Sequence, residues 1–187
     1  MKVIVGITGA SGAIYGIRLL QFLQSQPGVE THLVISEAAK QTIALETDSS
    51  PEMVALLADR AYDNTDLSAP ISSGSFLTAG MVVAPCSIKT LSAIANSYDD
   101  NLITRAADVC LKERRRLILM VRETPLHLGH LELMACVTRM GAVVLPPCPA
   151  FYWGPRTVED IVDHTIGKAL DLLGVEHNLF QRWEGLK

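Results

Sequence analysis

Charge is scarce in this sequence. Lys, Arg, Asp and Glu make up 19% of its 187 residues, hydrophobic residues 49%, and the formal net charge is −4. So small a negative balance gives no broad pull toward nucleic acid or a membrane surface, and the expected partner is a small molecule. Cysteine is sparse too: Cys86, Cys110, Cys136 and Cys148 stand far apart with no Cys-x-x-Cys pair, which argues against zinc and disulfide frameworks and fits a reduced, cytoplasmic setting. No apolar run approaches the roughly 20 residues that a membrane-spanning helix needs. Met1 leads straight into a β-branched run, without the charged region, apolar core and cleavage site of an export signal, so a soluble protein is expected. A domain this small and this apolar has surface to hide, and a homo-oligomer would hide it.

What is present is an alternation of short β-branched runs with longer segments of helical period, the pattern of a single α/β domain spanning residues 1–187. Its expected fold is a flavodoxin-like or Rossmann-like parallel sheet with helices on both faces. Val3-Ile4-Val5-Gly6-Ile7 predicts the first strand, and Ala13, Gly16, Ile17, Leu20 and Leu23 mark one face of the helix after it. A strand over residues 32–35 and a helix over 37–46 follow. Ser50 caps a short helix opened by Pro51, with Met53, Val54, Leu56 and Leu57 as its apolar side. After a polar stretch over 62–80, Met81-Val82-Val83-Ala84 predicts a buried strand ending at Pro85. Helices are expected over 87–96 and 101–114, a strand over 117–121, a long helix from Pro125 to Met140, a last strand over 142–145 and a closing helix over 157–173.

Open parallel sheets bind ligands beyond the carboxyl ends of their strands, so the loops there carry the functional signal. Thr8-Gly9-Ala10-Ser11-Gly12-Ala13 is a glycine-rich turn into a helix, able to bring backbone amides to an anion. A ligand-free tight turn, a dinucleotide site and a flavin site all fit it. Against the dinucleotide stand Ser36, where an acidic residue usually ends the second strand, and the absence of a Tyr-x-x-x-Lys motif. Hydroxyls at Ser11 and Ser36 suit the phosphate, ribityl chain and ring nitrogens of FMN. The second loop, Pro85-Cys86-Ser87-Ile88-Lys89-Thr90, gathers hydroxyls, amides and a cation where a helix dipole also favours a phosphate; an ordinary capped helix start is its plain alternative. Arg122 and Glu123, side by side at a strand's carboxyl end, are suited to orienting a phosphate and moving protons.

Other residues have a simpler reading. Cys86 has no evident partner histidine and reads as a small buried residue. His127 and His130 lie at i and i+3 with no third ligand, so they read as packing or interface residues and no metal is expected. Met134 and Met140 read as core fillers, Glu159 and Asp160 as acids complementing a helix dipole, and Arg114 to Arg116 as a solvated helix end.

Taken together, these motifs resemble the flavin prenyltransferases of the UbiX/Pad1 type, within the wider group of flavin-containing cysteine decarboxylases. The resemblance covers nearly the whole chain: Gly6-Ile7-Thr8-Gly9-Ala10-Ser11-Gly12-Ala13, Leu45-Glu46-Thr47-Asp48, Ile71-Ser72-Ser73-Gly74-Ser75, the Pro85 loop, Arg105-Ala106-Ala107-Asp108, Leu111-Lys112-Glu113-Arg114-Arg115, Arg122-Glu123-Thr124-Pro125-Leu126 and Pro149-Ala150-Phe151-Tyr152. It implies transfer of a dimethylallyl group from dimethylallyl monophosphate to N5 and C6 of reduced FMN, making the cofactor of a UbiD-type decarboxylase, without a metal, in a dodecamer. It implies that Gly9, Ala10, Ser11, Ser36, Ser87, Ile88, Lys89, Thr90 and Arg122 hold FMN. Lys112, Glu123, Tyr152 and Lys168 would meet the prenyl phosphate, partly across a subunit boundary. Ser11 and Glu123 would handle protons, with Glu46 and Arg105 in support. Three positions depart from the family pattern: Lys168 replaces an expected arginine and loses its bidentate fork, Trp153 replaces a common histidine, and Leu67 stands where some relatives carry tryptophan. The competing readings are a direct FMN-dependent decarboxylase acting on a cysteinyl or aromatic acid, and a non-catalytic flavin carrier.

Overall fold

The computed structural model describes residues 1–183 and 185. Six segments form one all-parallel sheet: β1 (Lys2–Ile7), β2 (Glu30–Ile35), β3 (Arg60–Tyr62), β4 (Gly80–Cys86), β5 (Arg116–Val121) and β6 (Val143–Val144), in the order β3-β2-β1-β4-β5-β6. The α/β class is as expected, and the order is that of the Rossmann-like arrangement. β3 lies at the sheet edge within sequence too short and too polar to announce a strand.

Alternation along the strands splits the core in two. Val3, Val5 and Ile7, with Leu33, Ile35, Val82, Ala84, Ile118 and Met120, face α1 (Ala13–Gln24), α2 (Glu37–Glu46), α3 (Pro51–Ala55) and α7 (Val158–Leu173). Ile4, Val34, Met81, Val83, Leu117, Leu119 and Val121 face α4 (Ile88–Ala95), α5 (Leu102–Lys112) and α6 (Leu128–Met140). With both faces covered, the strands read as near-continuous apolar runs. Met134 and Met140 pack against the second cluster, as their spacing suggested.

The helix starts follow from their caps. Ser36, Ser50, Ser87, Asn101 and Thr157 each accept a hydrogen bond from the amide three residues on, a contact that contributes about 1 kcal/mol per helix. Two expectations need correction. The helix expected from Pro125 begins at Leu128, because His127 is extended and caps it, its Nδ1 accepting from the Gly129 amide at 3.1 Å. And α3, one turn long, turns only Val54 inward; Met53 and Leu56 stay exposed because a single turn is too short to bury a whole face.

Gly16 marks the tightest packing of helix on sheet: a Cβ there would lie 2.3 Å from the Ala84 carbonyl oxygen. Gly16→Ala is therefore expected to destabilise the protein by about 2 kcal/mol, read from the midpoint of chemical denaturation.

Candidate active site

β1 and β4 are neighbours at the centre of the sheet, and the chain leaves them in opposite lateral directions. Loops diverge at such a switch point and open a crevice above it. Thr8 fixes the geometry there. Its backbone N–H and its hydroxyl both donate to the Pro85 carbonyl, at 3.2 and 2.8 Å, and its Oγ1 accepts from the Ser87 amide at 2.8 Å. The two glycine- and serine-bearing loops are thus tied to one another through a buried hydroxyl.

The second loop has the donors that an anion needs. Ser87 Oγ lies 3.2 Å from the Thr90 hydroxyl, and helix geometry leaves the Ile88 and Lys89 amides without intrahelical acceptors at the positive end of α4. Lys89 is exposed, 4.0 Å from Asp100. Ser36 stands at the corresponding end of β2, capping α2.

The first loop differs from the expectation of an open helix terminus. The Glu46 carboxylate, from the last residue of α2, accepts from the Gly12 and Ala13 amides at 2.8 and 3.2 Å and from the Ser11 hydroxyl. The physical reason is local. A Cβ on Gly9 would sit 2.4 Å from the Ala38 Cβ, so glycine lets α2 close over the turn and bring Glu46 onto the start of α1. Partial burial would raise the Glu46 carboxyl, but the Ser11 hydroxyl, the two amides and the Arg122 charge outweigh it and hold the group below its ordinary range.

Arg122 follows β5, its amide still bonded to the Cys86 carbonyl at 3.1 Å, and its charge bears on both Glu46 and Tyr15. Glu123 is exposed beside it, Oε1 accepting from the Thr124 amide at 2.9 Å. Gly9, Ala10, Ser11, Ser36, Glu46, residues 87–90, Arg122 and Glu123 therefore gather at one edge of the sheet.

The remaining candidates lie elsewhere. Tyr152 and Lys168 belong to an aromatic cluster on α7, where Trp153 stacks on His164 with ring centroids 5.6 Å apart and planes 13° apart. Lys112 ends α5 at the foot of β5, whereas Glu123 follows its top; six strand residues put roughly 20 Å between them. Lys112 instead pairs with Glu113. Arg105 donates to the Ser72 carbonyl and to Asp99 and Asp108, each contact 3.1 or 3.2 Å, and so braces the 70–76 segment against α5. Arg115 holds the same segment through the Gly74 and Phe76 carbonyls rather than standing free at a helix end.

A groove of about 860 Å³ runs between α4 and α6 along Ile88, Ser92, His130, Leu133, Cys136 and Arg139, and meets the candidate residues at Ile88. His127 and His130 stack at its end, 3.6 Å between centroids. Among the described residues, no group of three or more His, Cys, Asp or Glu side chains could hold a metal, and no helix is long and apolar enough to cross a membrane. The Cys86 and Cys110 thiols are pushed by burial up to about 12, which removes both as nucleophiles.

The flavoprotein family model matches residues 1–170. Flavin prenyltransferase UbiX of Salmonella typhimurium is 59% identical over 186 residues, 98% of each chain, and that of Thauera aromatica is 58% identical over 185 residues, 99% of this chain and 95% of that one. This chain belongs to the UbiX-type flavin prenyltransferase family. Among solved structures, a dodecameric FMN-dependent UbiX-like decarboxylase from Escherichia coli O157:H7 superposes with a TM-score of 0.97 at 55% identity, covering 99% of this chain and all of that one. AnUbiX (PadA1), in complex with FMN and dimethylallyl pyrophosphate, gives 0.97 at 50% identity, covering 100% and 98%. The peptidyl-cysteine decarboxylase EpiD, at 18% identity and 0.64, shares the fold alone.

Within this flavin prenyltransferase chain, sequence reading overlooked His164 and Tyr15. His164 lies four residues before Lys168 on the same face of α7, a spacing that assigns it no role without the Phe180 contact; Tyr15 had no signal beyond its place in the first turn of α1.

Two outcomes test the geometry. Thr8→Val keeps the shape but strands the Ser87 amide, and is expected to cost about 2 kcal/mol in chemical denaturation. Glu46→Gln keeps an acceptor but loses the charge at the start of α1, about 0.5 to 1 kcal/mol at pH 7. Because the Glu46 carboxyl is depressed on folding, its contribution is complete above its ordinary value of 4.5 and is lost as pH falls through the folded value. Melting curves of wild type and Glu46→Gln are therefore expected to converge in acid.

Proposed function

We propose that this chain joins the dimethylallyl group of dimethylallyl monophosphate to N5 and C6 of reduced FMN. The observation that carries the reading is the near-complete match to UbiX enzymes at 58–59% identity, together with the likeness to a structure that holds both FMN and a prenyl donor. The residues present fit FMN. Amides of Ile88 and Lys89, hydroxyls of Ser87 and Thr90 and the dipole of α4 suit its phosphate, while Ser36, Arg122 and residues 9–11 line the way from that phosphate across the switch point. The reduced flavin, when bound, supplies an electron-rich ring that accepts the allyl group.

The chain's own part is to hold the two reactants together and to stabilise charge. Cations and a phenol, Lys112, Lys168 and Tyr152, would draw the phosphate from the donor, a role that suits electrostatic stabilisation of a leaving group without a metal. Glu123 and Ser11 would hold and move protons near N5, with Glu46 orienting the Ser11 hydroxyl and Arg105 bracing the segment beside Lys112. Since Lys112 and Glu123 lie at opposite ends of β5, they can meet at one phosphate only if Lys112 comes from another copy. This favours a homo-oligomer, read as a dodecamer. The product suits a UbiD-type decarboxylase in the cytoplasm.

Anaerobic incubation with reduced FMN and dimethylallyl monophosphate, followed by mass spectrometry of the released flavin, is expected to give a product heavier by one prenyl unit. Unmodified FMN would overturn the reading in favour of direct decarboxylation or flavin carriage. Glu123→Gln is expected to lower kcat at least about a hundredfold. In light scattering, a stable monomer would sink the shared site.

A further inference from the structure

His164 is buried in α7 inside a cage of rings. Trp153 lies flat against it, Phe180 stands 4.6 Å away between centroids at 54°, and Tyr152 meets it edge-on at 6.2 Å and 81°. Gly167, on the next turn, makes the cage possible: a Cβ there would come within 2.4 Å of the Phe180 ring, so glycine lets residues 177–180 seat on the helix. An apolar residue would fill this cage without the desolvation cost of an imidazole. The polar return is one contact, His164 Nε2 to the Tyr152 hydroxyl at 3.5 Å, a separation at the long end of hydrogen bonding that charge on a ligand can tighten. The charge is close by: Lys168, four residues on, is exposed with its ammonium 5.2 Å from the Phe180 ring centre.

We propose that His164 is a positioning residue for Tyr152: its Nε2–H donates to the phenol oxygen and turns the phenol proton outward, toward the anion that Lys168 attracts. The inference rests on the reading that Tyr152 and Lys168 meet the prenyl phosphate. The neutral imidazole is the form required, and burial first, then the Lys168 charge, lower the tendency of His164 to protonate. Phosphate binding selects the Nε2–H tautomer, since a phenol that donates to the ring has no proton left for a phosphate oxygen. Trp153 holds the ring in plane, which gives this departure from the family pattern a part in the same arrangement.

The test uses three variants of the full-length enzyme, assayed anaerobically with reduced FMN and dimethylallyl monophosphate. His164→Phe fills the cage but cannot donate, and its KM for the prenyl donor is expected to rise roughly ten- to hundredfold, the range of a hydrogen bond to a charged group, with FMN affinity unchanged. His164→Gln restores a side-chain N–H and is expected to recover most of the loss. In a Tyr152→Phe background, His164→Phe is expected to add nothing. A His164→Phe enzyme with the wild-type KM while Tyr152→Phe loses affinity overturns the positioning role alone. An unaltered donor KM in Tyr152→Phe overturns the phosphate reading beneath it. Crystal structures separate the two cases again: Tyr152 is expected to turn away in His164→Phe and to stay in His164→Gln, and an unmoved Tyr152 in both refutes the link.

Discussion

One hydroxyl organises the edge where the candidate residues gather. Thr8 donates to the end of β4 and accepts from the amide that starts the turn into α4, so the two loops flanking the switch point cannot move independently. Because this hydroxyl is buried, the bond is not open to exchange with water, and leaving either partner unmet would carry the full desolvation penalty. Everything placed above the sheet, from the cap of α4 to the position of Arg122, is referenced to that pair of loops.

The helix termini at this edge serve two different ends. α4 leaves its first amides free to meet an outside anion in the proposed function, while α1 is given an inside one in Glu46. Two positive helix ends close together could each attract a phosphate; a carboxylate at the first would leave the α4 end as the one favoured position in the proposed function. The same carboxylate reaches the Ser11 hydroxyl, so in the proposed function one group would both bias phosphate placement and orient a proton-handling side chain.

Much of this was legible in the sequence because it rests on local rules. The cap at Ser50, the capped helix start at Ser87, the limits of α2 and the buried runs of β1, β4 and β5 follow from propensity and spacing that tertiary contacts did not override. β3 escaped because three half-polar residues gain their strand character only by pairing with β2. At the candidate site, loop chemistry pointed to the α4 end, but nothing local says that Gly9 makes room for α2, or that Arg105 directs its donors to Ser72, Asp99 and Asp108. His164 was hidden for a similar reason, since its meaning depends on Phe180 folding back over Gly167, a contact between residues that only the seated tail makes.

The distribution of sulfur has a practical consequence. Cys86 and Cys110 are sealed in the core with thiols near 12, and Cys136 is partly covered, its Sγ 3.5 Å from the Ala95 carbonyl oxygen. Cys148 is exposed, just beyond β6 and close enough to Tyr15 to bear on its ionisation. A thiol-directed dye or spin label therefore finds one favoured address on the chain, beside the edge where the candidate loops converge, and an unmutated protein carries its own handle for watching that edge.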